Sequence, residues 1–176
     1  MTGPRTGARP RVARIVSGGQ SGVDRAALDV ARAANIPYGG WCPKGGWAED
    51  YRSPPGVRAD YPGLDETPSA HIEQRTLWNV RDSDATLIVT AARAARRPSP
   101  GTRLASLAAD ELDRPCLVVA TDEVDPVSRA HAFLESLPPG AVLNVAGPRE
   151  SEAPGIYAEA RTLLAAIFEI EVGRGR

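Results

Sequence analysis

Apolar residues recur along this chain in two alternating rhythms. Short, mostly apolar runs stand at 12–16, 85–90, 115–120 and 141–146. Between them the apolar positions fall at helical spacing. Val23, Ala26, Ala27, Val30 and Ala34 share one face of a helix predicted over 22–34, and Ile156, Leu163, Leu164, Ile167 and Phe168 share one face of a helix over 156–170. Further helices are predicted over 104–112 and 126–137. Thr67 is a good N-cap and Pro68 suits a first helical position, which predicts a helix from there to about Val80. A short strand is expected within 36–43, and the Gly- and Pro-rich stretch 44–64 reads as an irregular loop.

Mostly apolar strands separated by helices predict a parallel sheet covered on both faces. The expected fold is therefore α/β: a Rossmann-like three-layer domain over residues 11–172, with a mostly parallel sheet between helices. Ligands of such sheets bind outside the carboxyl ends of the strands. Residues 1–10 have no apolar periodicity and read as a disordered tail, and 173–176 as a frayed end.

Composition narrows the function. A net charge of −1 over 176 residues gives no global field to draw nucleic acid or an anionic membrane. No apolar run approaches the ~20 residues of a membrane span, and the first residues lack a secretory signal's apolar segment, so the expected location is cytoplasmic. Cys42 and Cys116 form no CxxC pair, and with only His71 and His131 besides, no metal spacing emerges. Lys44 is the one lysine among 21 basic residues, which draws attention to it.

Five clusters could carry chemistry. Gly18, Gly19, Gln20, Ser21 and Gly22 follow the first strand and open the first helix. Glycines there allow a tight turn, and the helix-start amides face an anion. The spacing is neither GxGxxG nor a Walker A loop, so the segment reads either as an anion loop or as a plain strand-to-helix turn. Asp24 and Arg25 either cap that helix or pair with each other. In the second cluster, Trp41, Lys44 and Trp47 sit in a glycine-rich loop: they either cover a flat ring and hold a phosphate, or anchor the loop to the core. Cys42 reads as a buried small hydrophobe. Asn79, Arg81 and Asp82, in the third cluster, read as a hydrogen-bond knot at a helix–strand junction. The fourth holds Thr90, Arg93, Arg96, Arg97, Gly101 and Thr102, with Gly101 and Thr102 as donors at a helix start and the arginines as either phosphate forks or a solvated basic loop. The fifth holds Arg149, Glu150 and Ser151. Arg149 or Ser151 could reach the same cleft, and Glu150 could pair with an arginine. No Ser/His/Asp order and no carboxylate pair appears. The only acid–base candidates are Asp24, Glu49 and Asp50.

Taken together, Ser17-Gly18-Gly19-Gln20-Ser21-Gly22-Val23-Asp24-Arg25, Gly40-Trp41-Cys42-Pro43-Lys44-Gly45, Gln74-Arg75-Thr76, Trp78-Asn79-Val80-Arg81-Asp82-Ser83-Asp84 and Asn144-Val145-Ala146-Gly147-Pro148-Arg149-Glu150-Ser151 resemble the molybdenum cofactor carrier proteins, also described as circularly permuted YpsA-like proteins. The resemblance implies a Rossmann-like fold within the LOG-like, or lysine-decarboxylase-like, nucleotide-binding superfamily. It implies the molybdenum cofactor (molybdopterin), an anionic pterin carrying a phosphate and an oxo-metal group, as ligand, and a homo-oligomer, dimer or tetramer. It places anion contacts at Gly18–Gly22 and Gly101–Thr102. Two departures stand out. Pro100 precedes Gly101-Thr102 where the family reads Gly-Gly-Thr, which removes one amide donor. Ala105 stands where the LOG enzymes' PGGxGTxxE motif has its glutamate, so phosphoribohydrolase activity does not carry over. The expected function is a binding protein for an anionic phosphorylated ligand, with Gly18, Gly19, Gln20, Ser21, Gly22, Lys44, Thr90, Gly101, Thr102 and Arg149 as binding residues. A nucleotide-binding enzyme or sensor related to the LOG proteins is the alternative.

Overall fold

The structure is a computed structural model describing residues 11–91 and 98–169. The expected tail at 1–10, the arginines Arg93, Arg96 and Arg97, and the chain end from 170 lie outside the described residues. The elements follow the order β1 (Val12–Val16), α1 (Val23–Ala33), β2 (Tyr38–Gly39), β3 (Trp41–Cys42), a 3-10 turn (Gly56–Ala59), β4 (Asp65–Glu66), α2 (Ile72–Arg81), β5 (Ala85–Thr90), α3 (Pro100–Glu111), β6 (Cys116–Ala120), α4 (Pro126–Ser136), β7 (Ala141–Ala146) and α5 (Ile156–Ile167).

Five strands form one sheet in the order β2-β1-β7-β5-β6, and every pairing in it is parallel. The mostly apolar runs account for this, because a strand covered on both faces has no polar side. All six residues of β5 are buried. Leu87 and Val89 join the main core with α1, α4 and α5, whereas Ile88 points to the other face and packs on Val80 of α2 and on Ala105, Ala108 and Ala109 of α3. The predicted three layers are present. A third cluster of Leu28, Cys42, Val57, Tyr61 and Leu64 pins the long loop after β3 onto α1.

Three predicted boundaries need correction. The segment at 36–43 forms two strands of two residues each, β2 in the main sheet and β3 paired with β4 in a separate ribbon. The helix expected from Thr67 starts at Ile72, capped by His71 in an extended conformation. Thr67 instead continues the ribbon: its amide donates to the Cys42 carbonyl at 2.9 Å and its hydroxyl to the Ser69 carbonyl at 2.8 Å. A good N-cap residue has been taken up by a tertiary strand contact. The helix expected from Leu104 starts earlier, at Pro100, because the Ser99 side chain accepts from the Thr102 amide and Pro suits the first turn.

Candidate functional site

Three loops converge at the carboxyl ends of the central strands: residues 17–22 after β1, 147–155 after β7, and the start of α3 beyond β5. They meet α2, and the cleft between them is lined by Gln20, Arg75, Thr76, Gly101, Gly147 and Arg149, with Glu73, Ser99 and Glu152 at its sides. Its volume is about 80 Å³. A wider groove of about 780 Å³ lies between α4 and α5, but its only charged lining groups among the described residues are Asp122 and Glu159. Among the described residues that groove offers an anion no cation.

The loop after β1 is held by the protein itself. Ser17 donates through its hydroxyl to the Val145 carbonyl at 2.7 Å. The Gln20 amide oxygen accepts from Ser21 N at 3.0 Å and from Glu49 N at 2.8 Å. Glu49 ties two loops together, accepting from the Ser21 and Ser151 hydroxyls and from the Ser151 amide. Partial burial opposes the charge on Glu49, yet the hydrogen bonds from Ser151 and Ser21 prevail and hold its carboxyl below the usual range. A Cβ at Gly18 would overlap the Arg75 guanidinium, and one at Gly22 would stand 2.5 Å from the Pro148 carbonyl oxygen. Gly22 also has φ +76°, a left-handed conformation that favours glycine.

Asp24 and Arg25 neither cap the helix with a side chain nor pair with each other. Their partners come from distant segments. Asp24, 3 % exposed, accepts from Arg75 Nη1 at 2.7 Å and from the Gln20 amide at 3.3 Å. Burial pushes its carboxyl above the usual range, against the pull of Arg75. Arg25 donates to both oxygens of Asp50, at 2.9 and 3.0 Å, and to the Gly19 carbonyl at 3.1 Å. Its guanidinium also lies 4.9 Å from the ring centre of Tyr51 and 5.4 Å from that of Tyr61. Asp24, Glu49 and Asp50, the acid–base candidates, are thus all engaged in internal bonds.

Of the expected binding residues, Gln20, Gly101 and Arg149 line the cleft together. Lys44 does not join them. It is exposed, and the charge it acts on is that of Glu66. Thr90 is buried, with its hydroxyl on the Ala91 carbonyl. Thr102 is buried too, and both its amide and its hydroxyl meet Ser99. Glu150 takes no arginine; it accepts from the Gly155 and Tyr157 amides and so shapes the turn into α5. Arg149 is instead paired with Glu152 at 3.4 Å. Asn79 is the centre of the expected knot, clasping the Trp41 backbone through Oδ1 (2.8 Å) and Nδ2 (3.0 Å), while Asp82 accepts from the Trp41 indole at 2.7 Å. Trp41 anchors its loop edge-on to Trp78, whereas Trp47 is 37 % exposed. Cys42 is a buried hydrophobe whose thiol burial pushes up to about 11.

Sequence reasoning missed Arg75 as a cleft residue. The available signal was its place in α2, where Arg75, Thr76 and Asn79 put polar groups on an inward face that should have been apolar.

The model of the family described as the circularly permutated YpsA SLOG family matches residues 15–168. A crystal structure of a "Putative molybdenum carrier protein" from Syntrophus aciditrophicus SB is similar to this chain at 37% identity, with a TM-score of 0.78, covering 91% of this chain and 97% of that one. No curated protein matches the chain.

Proposed function

The chain belongs to the circularly permutated YpsA SLOG family, and from that premise we propose that it is a binding protein for an anionic, phosphorylated ligand, with the molybdenum cofactor as the leading candidate. The similar protein's name supplies the molybdenum. The observation that carries the anion is the cleft: two arginines, the glycine-flanked end of β7 and the first turn of α3 face one space at the strand ends. At the start of α3 Pro100 has no N–H and the Thr102 and Arg103 amides are taken by Ser99, which leaves the Gly101 N–H and the positive end of the helix dipole for an anion, and arginine forks match oxyanions. The acid–base candidates are consumed by internal bonds, which favours holding a ligand over transforming it.

The test is a thermal-shift series on the purified protein with phosphate, molybdate, nucleotides and isolated molybdenum cofactor. A ligand that binds only the folded state adds about 2.7 kcal/mol at a hundredfold excess over its Kd. A shift with the cofactor supports the carrier reading. A shift with a nucleotide alone points to the sensor or enzyme alternative, and no shift with any anion overturns the proposal. The Gly101→Leu variant should abolish the shift. A Cβ there meets nothing within 4 Å among the described residues, so the side chain would extend from the first turn of α3 without breaking the fold.

A further inference from the structure

The two arginines nearest the loop after β1 are paired very differently, and the difference assigns one of them a task. Arg25 spends both terminal nitrogens on Asp50 and the Gly19 carbonyl, and two tyrosine rings cover it. Both of its terminal nitrogens are thus spent on holding the 50s loop to the loop after β1. Arg75 spends only Nη1, on Asp24. Its Nε is buried without a partner among the described residues, as is that of Arg25, but its Nη2 too makes no hydrogen bond among them, whereas both terminal nitrogens of Arg25 are taken. Arg75 lines the cleft, and Arg25 does not. The other cleft arginine, Arg149, is already held by Glu152.

We propose that Arg75 is the residue that grips the anion, that Asp24 and Gly18 are its positioning residues, and that the cleft takes a tetrahedral oxyanion head, a phosphate or a molybdate. This rests on the binding reading above. Asp24 fixes one corner of the guanidinium from behind and leaves Nε and Nη2 as a fork. Such a fork suits two oxygens of one oxyanion. Gly18 is glycine because the guanidinium crosses its backbone where a Cβ would sit. The cleft's volume of about 80 Å³ suits a small anionic head and falls well short of the ~300 Å³ at which sites for whole small molecules begin. The remainder of any larger ligand therefore lies outside the cleft, where the exposed Gly101 marks the mouth.

The experiment is calorimetric titration of inorganic phosphate, molybdate and a simple phosphate monoester into the wild type, Arg75→Lys and Arg25→Lys. Arg75→Lys keeps the charge but loses the fork, and should bind each anion at least tenfold more weakly. Arg25→Lys should lower the melting temperature and leave the affinity within twofold. Equal affinity of a folded Arg75→Lys protein overturns the assignment to Arg75 and leaves the binding reading standing. If the wild type binds none of the three, both fall. Should Arg75→Lys not fold, the wild type itself carries the test through its arginine Nε–H NMR signals. Phosphate or molybdate should move the Arg75 signal and leave that of Arg25 in place, and an unmoved Arg75 signal in the presence of a bound anion overturns the assignment.

Discussion

The glycines after β1 and the glycine at the start of α3 look alike in sequence and do opposite things. Gly19 and Gly22 have φ of +72° and +76°, and the missing Cβ at Gly18, Gly19 and Gly22 is space the protein fills itself: the Arg75 guanidinium at Gly18, the Leu64 methyl at Gly19 and the Pro148 carbonyl at Gly22. Gly101 has ordinary helical geometry and open space in front of it among the described residues. A glycine-rich loop is thus two kinds of object. One lets separate segments cross in close contact; the other leaves room for a visitor. At the loop after β1 the crossing dominates, and the anion chemistry is delivered by the side chain that crosses it.

The sharpest way to break this comparison is Gly22→Val. A β-branched residue at a left-handed φ, driven into the Pro148 carbonyl, should cost about 3 kcal/mol or more, seen as a large fall in the denaturant midpoint. A midpoint within error of wild type would mean the loop is slack. Next, Gly19→Ala should cost roughly 1–2 kcal/mol, combining the positive φ with a Cβ placed 2.8 Å from a Leu64 methyl. Gly101→Leu should change stability by less than about 1 kcal/mol, since leucine is the better helix former, while anion binding is lost. If instead it unfolds the protein and Gly22→Val does not, the two glycines have been assigned the wrong way round.

The smallest effect concerns the tie between the loops. Glu49 has a depressed folded-state pKa, so its stabilisation is present above its unfolded value of 4.5 and is lost as pH falls through the folded value. Wild type should therefore be more stable than Glu49→Gln at pH 7. The gap should narrow on acidification below about pH 4.5, as measured by urea unfolding at a series of pH values. A gap that stays constant with pH would remove the carboxylate from the account.

The fold was largely legible because a parallel sheet writes itself in short, mostly apolar runs. β1, β5, β6, β7 and four of the five helices fall where periodicity places them, within a few residues. α2 was read too early because Thr67 and Pro68 carry a local capping signal, and the ribbon with Cys42 overrides it. The cleft was half legible. Gln20, Gly101 and Arg149 stand beside glycines at strand ends, where topology points. Arg75 does not: it lies mid-helix, and its partner Asp24 is 51 positions away. Pairings of that separation are fixed by tertiary geometry, and no local pattern records them. Lys44 drew attention by its rarity and by its glycine-rich loop, and neither fixes where the loop carries it.

The place of β7 bears on how the molecule is made. It is last in chain order among the sheet's five strands, yet it lies in the middle of the sheet and bridges β1 and β5, which share no ladder of their own. Without it the sheet would be two separate pairs, β2-β1 and β5-β6, each with an unpaired edge. Such edges recruit one another and other chains, and closure between distant segments is slow. Since the loop after β7 also walls the cleft, the joining of the sheet and the completion of the cleft depend on the same strand.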